Sequence, residues 1–215
     1  MDTIFLFRKS IIYLGYFVLF INVIIYCIYY KKRPLAYKYI SLYLILSLVI
    51  QIISSYLASI KANNLFFFHL FNIGQFILIC LLFTSILKNR VLKIILKYCL
   101  FIIPFFLIIF FILNQEFLFR FNIVELLICS ILLIISSFVF FIEKIDSNNR
   151  KYIYFNSGFF LYILCSTLLF SAGNLSNKTS RLLWLFNSFI YLIFQIMVFL
   201  EWYKNFKKPL LEEKN

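Results

Sequence analysis

The sequence predicts an all-α fold: a polytopic membrane bundle of seven transmembrane helices. Three observations predict it. Of the 215 residues, 64% are hydrophobic and only 13% are charged. A soluble domain carries about 25% charged residues, so this chain cannot clothe a water-facing globule. Its apolar residues gather in seven long runs, each near the ~20 residues that a helix needs to cross the hydrocarbon core. The basic residues fall between those runs and favour alternate ends of them, as membrane topology requires.

The first span is expected at about 10–30. No small-residue cleavage site follows it, and it is too long for a signal h-region, so it reads as a retained helix. Tyr29 and Tyr30 close it, ahead of Lys31-Lys32-Arg33. The second span, about 38–60, carries Gln51, Ser54 and Ser55. The third, about 65–87, carries His69, Asn72 and Gln75. The fourth, about 91–113, has Lys93 and Lys97 in its first two turns, where long stems can carry the ammonium groups to the interface. Pro104 near its middle should kink it. The fifth, about 117–142, holds Glu125, read as the only acid well inside an apolar run. The sixth, about 152–172, opens with Asn156, Ser157 and Gly158, with Tyr162 one turn on. The seventh, about 182–203, holds Asn187 and Gln195, with Trp184 and Trp202-Tyr203 at its two ends as interfacial anchors. Connectors are short, and the longest stretch outside the spans is the tail from Lys204. A single transmembrane domain over 1–215, with no soluble domain, is the expectation. No internal repeat and no G-x-x-x-G motif occurs.

Lys and Arg number 21 against 8 Asp and Glu, a net charge of +13. The loops at one set of helix ends hold 15 of the 21. The positive-inside rule then places the N-terminus outside and the C-terminus in the cytoplasm. The same excess suits anionic lipid headgroups. No separate basic face with interleaved aromatics exists, which excludes nucleic acid as a partner. The five cysteines all lie in apolar runs without a C-x-x-C and read as small apolar filler.

Strongly polar side chains in a spanning helix are functional candidates. At ~1.5 Å per residue, His69 lies about 6 Å, Asn187 about 8 Å, Glu125 about 12 Å and Gln75 about 15 Å inside the outer boundary. With Gln51 and Asn72 they are expected to form an outward-facing polar cluster, and His69 and Asn72, three apart, share a helix face. Asn156, Ser157, Tyr162 and Gln195 read as interhelical packing contacts. The one histidine and Glu125 supply two metal ligands at best, fewer than a zinc hydrolase uses, so neither a metal nor another cofactor is expected. Paired Asp residues, H-E-x-x-H, G-x-S-x-G and P-loop motifs are all missing, and no residue reads as catalytic.

The stretch His69-Leu70-Phe71-Asn72-Ile73-Gly74-Gln75-Phe76, Glu125 early in the fifth span, Asn156-Ser157-Gly158 with Tyr162, and Leu183-Trp184 together resemble a group of small seven-helix bacterial membrane proteins without assigned activity. The resemblance covers about residues 63–203. It implies a multi-pass protein of the bacterial inner membrane with a polar intramembrane cluster serving a signalling partner. In that group the position of Gln75 is more often acidic and that of Asn187 more often His, so this chain has lost two ionisable groups. The resulting expectation is a non-enzymatic sensor or regulatory membrane subunit. Its cytoplasmic basic loops contact lipid, a membrane protein or a cytoplasmic protein. The alternative is a small-solute or proton-coupled transporter using Glu125, and after it a membrane lipid hydrolase using His69.

Overall fold

The computed structural model describes residues 3–28, 30–145, 147–171 and 177–207, with side chains from Phe7 and, in the last segment, from Leu183. Tyr29, Asp146 and the tail from Lys208 lie outside the described residues. The fold is all-α. Seven helices are described: α1 Thr3–Cys27, α2 Leu35–Ser59, α3 Leu65–Ile86, α4 Arg90–Leu113, α5 Ile123–Ile145, α6 Ile153–Ser171 and α7 Asn177–Asn205. Each contains a stretch long and apolar enough to cross a membrane, which makes this a multi-pass membrane protein.

One expected boundary is corrected. The fifth span was expected from about 117, but α5 starts at Ile123. Gln115–Phe119 forms a separate 3₁₀ turn, and Asn122 then caps α5, its side-chain oxygen accepting from the amides of Val124 (3.0 Å) and Glu125 (3.3 Å). Apolar composition cannot tell a 3₁₀ turn from the start of an α-helix, whereas an Asn that satisfies the first free N–H groups fixes where the helix begins. Glu125 therefore sits in the first turn of α5, about 3 Å along its axis from Ile123.

The chain divides into two compact units, residues 1–32 with 141–215, and residues 33–140. In the second, α3 packs against α2 and α4, and the 3₁₀ turn rests on α3 and α4. One face of α3 is buried along its length: His69, Asn72 and Gln75 in the first half, then Ile79, Cys80 and Phe83. That face is polar at one end and apolar at the other. The buried hydroxyls of Ser41 and Ser47 on α2 bond back to the carbonyls of Tyr37 and Tyr43 (3.0 and 2.8 Å), so they cost little in an apolar setting. Pro104 is buried inside a continuous α4; its ring leaves the Leu100 carbonyl without an intrahelical donor.

In the first unit α7 packs against both α1 and α6. Leu19, Asn22 and Tyr26 line the buried face of α1. The Asn22 amide donates to the side-chain and backbone oxygens of Gln195 (3.0 and 2.8 Å), and the Tyr26 hydroxyl donates to the Val198 carbonyl (3.1 Å). The rings of Phe155, Phe159 and Tyr162 on α6 surround Phe194 on α7, with centroids 5.5–6.1 Å apart.

Gly158 sets the approach of α6 to α7. A Cβ there would fall 2.7 Å from Met197 Cβ and 3.2 Å from the Phe194 Cα. Neither atom is the free end of a side chain, so the helices would have to separate. Gly74 differs: its Cβ would meet only the terminal carbon of Leu46 at 2.6 Å, which a rotamer change can move. Gly158→Ala is expected to destabilise by about 1–3 kcal/mol and Gly74→Ala by clearly less. Thermal unfolding of the two variants in detergent checks the order.

Candidate functional site: a buried histidine–glutamate pair

The polar end of α3 meets the start of α5 within residues 33–140. His69 Nδ1 contacts Glu125 Oε2, and both side chains are buried, the residues 2% and 0% exposed. The other ring nitrogen, Nε2, lies 3.0 Å from the Arg120 carbonyl oxygen. A carbonyl only accepts, so Nε2 carries a hydrogen. One further proton lies in the Nδ1···Oε2 contact, whichever atom owns it. The imidazole and carboxyl groups together are then net neutral, which is how two titratable groups can sit in an apolar interior.

The sequence builds this locally. Asn122 starts α5 so that Glu125 falls in its first turn, where the helix dipole favours an acidic group. Phe111 on α4 packs on the imidazole (centroids 4.7 Å apart), and Phe121 packs on Phe68 (5.3 Å). Asn63, in the α2–α3 connection, donates to the Phe119 carbonyl (3.0 Å). The segment from the 3₁₀ turn to Asn122 is thus fastened to the start of α3 at several points around the pair.

The expected cluster is brought together in part. Glu125 and His69 touch, and Asn72 lies one turn further along the buried face of α3, 4% exposed. Gln75 continues that face, its Oε1 accepting from the Tyr43 hydroxyl (3.3 Å). Gln51 lies half-buried on α2, with no hydrogen bond to any of these groups. Asn187 is on α7, in the other unit. Three buried polar atoms of the expected cluster have no hydrogen-bond partner among the described residues: Glu125 Oε1 and Asn72 Nδ2 in this unit, and Asn187 Oδ1 in the other.

The residues expected to serve packing all belong to the first unit. Gln195 accepts from Asn22, and the Ser157 hydroxyl bonds back to the Ile153 carbonyl (2.9 Å). Asn156 is buried on α6. Tyr162 stacks on Phe194 and meets Tyr191 edge-on.

Sequence reasoning missed Glu201. It is fully buried near the end of α7, so Glu125 is not the only acid inside an apolar run. Its carboxylate accepts from the amides of Tyr152 (2.6 Å), Tyr154 (3.0 Å) and Phe155 (3.3 Å), and from the Asn205 side-chain amide (2.8 Å). It caps α6 from another helix. The available signal was an acid two residues inside the expected end of a span, next to Trp202, where an interfacial position was the simpler reading.

Among the described residues, no group of three or more His, Cys, Asp or Glu side chains gathers to hold a metal ion. No protein family, curated protein or solved structure matches the chain.

Proposed function

We propose that this chain is a non-enzymatic sensor or regulatory subunit of a bacterial inner membrane, with its N-terminus outside and C-terminus in the cytoplasm. The placement follows from the 15 of 21 basic residues on one set of loops, which meet anionic headgroups or a membrane or cytoplasmic protein partner. The observation that carries the function is the His69–Glu125 pair. Two buried titratable groups fasten the entry of α5 and the Arg120 carbonyl to α3. A change in the pair's proton or bound ligand therefore acts on that segment, and through α5 on the far end of the span. In this reading the pair is the input and the basic loops are the output.

The test is affinity purification from native membranes with the wild type and His69→Leu/Glu125→Leu. A partner retained by the wild type, and held differently by the double variant, is expected. Absence of any retained partner, or identical retention by both, would overturn the reading.

A second reading is a small-solute or proton-coupled transporter using Glu125. It is favoured by the one carboxyl oxygen, Oε1, that has no partner among the described residues. Uptake into proteoliposomes that Glu125→Gln abolishes would select it.

A further inference from the structure

Three cations at the start of α4 have no counter-charge among residues 33–140. Arg90, Lys93 and Lys97 lie on one strip of the helix, within about 60° of its circumference at ~3.6 residues per turn. Arg90 and Lys97 are exposed and Lys93 is half-buried. Among the described residues none of the three joins an ion pair. No Asp or Glu occurs from Thr3 to Gln115, and the only acids of residues 33–140 are Glu116 and Glu125. Glu116 pairs with Arg120 (3.5 Å) and Glu125 with His69. Both acids belong to the other end of α4: Glu116 follows its last residue, Leu113, and Phe111 packs on His69. A full helix length separates the three cations from the anions of their own unit.

Lys93 and Lys97 are not loop residues. They stand about 4.5 and 10.5 Å along the axis from Arg90, on a helix apolar enough to cross a membrane. Helix side chains lean toward the N-terminus, so the long lysine stems carry their ammonium groups back toward Arg90. Three positive charges thus gather where α4 leaves the hydrocarbon core. Further along, the same strip turns apolar. Phe101 and Ile108, within about 40° of Lys97 around the helix, are 74% and 50% exposed. We propose that Arg90, Lys93 and Lys97 bind one anionic phospholipid, its phosphate among the three cations and an acyl chain along Phe101 and Ile108. A zwitterionic lipid would bring its own ammonium beside theirs, and a free phosphate has no chain to lay on the apolar strip. The inference rests on the reading that the basic helix ends face anionic headgroups. It names the residues that hold one, and it does not involve the His69–Glu125 pair.

Native mass spectrometry of the full chain in detergent, titrated with dioleoylphosphatidylglycerol or dioleoylphosphatidylcholine, gives an apparent Kd for the first bound lipid. The wild type is expected to hold phosphatidylglycerol the more tightly. A cation near an anionic headgroup contributes about fivefold. Lys97→Gln is therefore expected to weaken phosphatidylglycerol about fivefold, and Arg90→Gln/Lys93→Gln/Lys97→Gln about a hundredfold, with phosphatidylcholine unchanged. Lys31→Gln/Lys32→Gln/Lys204→Gln removes the same charge from exposed positions of the other unit and is expected to leave the affinity unchanged. Equal losses in the two triple variants would leave the headgroup contact standing and remove this site. No preference in the wild type would remove both. Unchanged affinity in Lys97→Gln, or displacement of the lipid by glycerol phosphate, would also overturn the proposal.

Discussion

His69→Leu is expected to destabilise the protein by about 3–5 kcal/mol, while His69→Leu/Glu125→Leu recovers most of that loss. The asymmetry follows from the geometry. Removing the imidazole alone leaves a fully buried carboxyl group whose two oxygens have no donor among the described residues. Removing both partners leaves a leucine beside Phe111 and no buried titratable group in the pair's place. The Arg120 carbonyl loses its donor but lies in an exposed segment and can turn to water, and Asn72 Nδ2 is no worse matched than in the wild type. Glu125→Gln should be the mildest single change, because its amide N–H can donate to Nδ1 while Nε2 keeps its own hydrogen for Arg120. The expected order of stability is wild type, then Glu125→Gln and the double variant, then His69→Leu. The rate of thiol labelling at Cys129, buried one turn after Glu125 on α5, reads the local opening, and thermal unfolding reads the whole. Equal losses for the single and double variants would mean that the contact contributes nothing as a pair. The double variant also gives the functional test its meaning, since it keeps the fold while removing the titratable groups.

The seven-helix architecture was legible because a composition with so little charge leaves lipid as the only solvent for the surface. His69 and Glu125 were legible for the same reason: an ionisable side chain in an apolar run must find a partner, and the chain offers one imidazole. The register of α5 was not legible. Phe117-Leu118-Phe119 is as apolar as any helix in the chain, and only the bonding of Asn122 shows that α-helix begins after it. That difference of about six residues puts Glu125 in the first turn of α5 and not in its third. The Asn22–Gln195 contact joins residues 173 apart, and no local pattern encodes it, although Gln195 was expected to serve packing. The glycines divide likewise. Gly158 was noted for its neighbours Asn156 and Ser157, but its importance lies in the backbone of Phe194, which only the packed helices bring near.

Glu201→Ala is expected to be the most damaging change in the first unit, at about 3–5 kcal/mol. The wild-type carboxylate accepts three backbone amides at the start of α6 and one side-chain amide. Hydrogen bonds to a charged group contribute about 1.5–3 kcal/mol each, and the terms overlap because all four share two oxygens. The three amides are among those a helix start leaves without intrahelical partners, and their acceptor comes from α7, 46–49 residues away in sequence. Tyr152 adds to the cost of losing it. Its φ is +71°, a left-handed conformation that L side chains with a Cβ avoid and that persists only when neighbours hold it. The 2.6 Å bond to Glu201 and the packing of its ring on Phe206 (5.6 Å) are what hold it. Glu201→Gln should fall between the two. Its amide oxygen can still accept from some of the donors, but its NH₂ group faces further N–H groups where the second carboxylate oxygen accepted. Hydrogen exchange of the Tyr152–Phe155 amides should therefore speed up in the order wild type, Glu201→Gln, Glu201→Ala. If those amides stayed equally protected in all three, the start of α6 would be held by the aromatic packing around Phe194 alone, and the buried carboxylate would require another explanation.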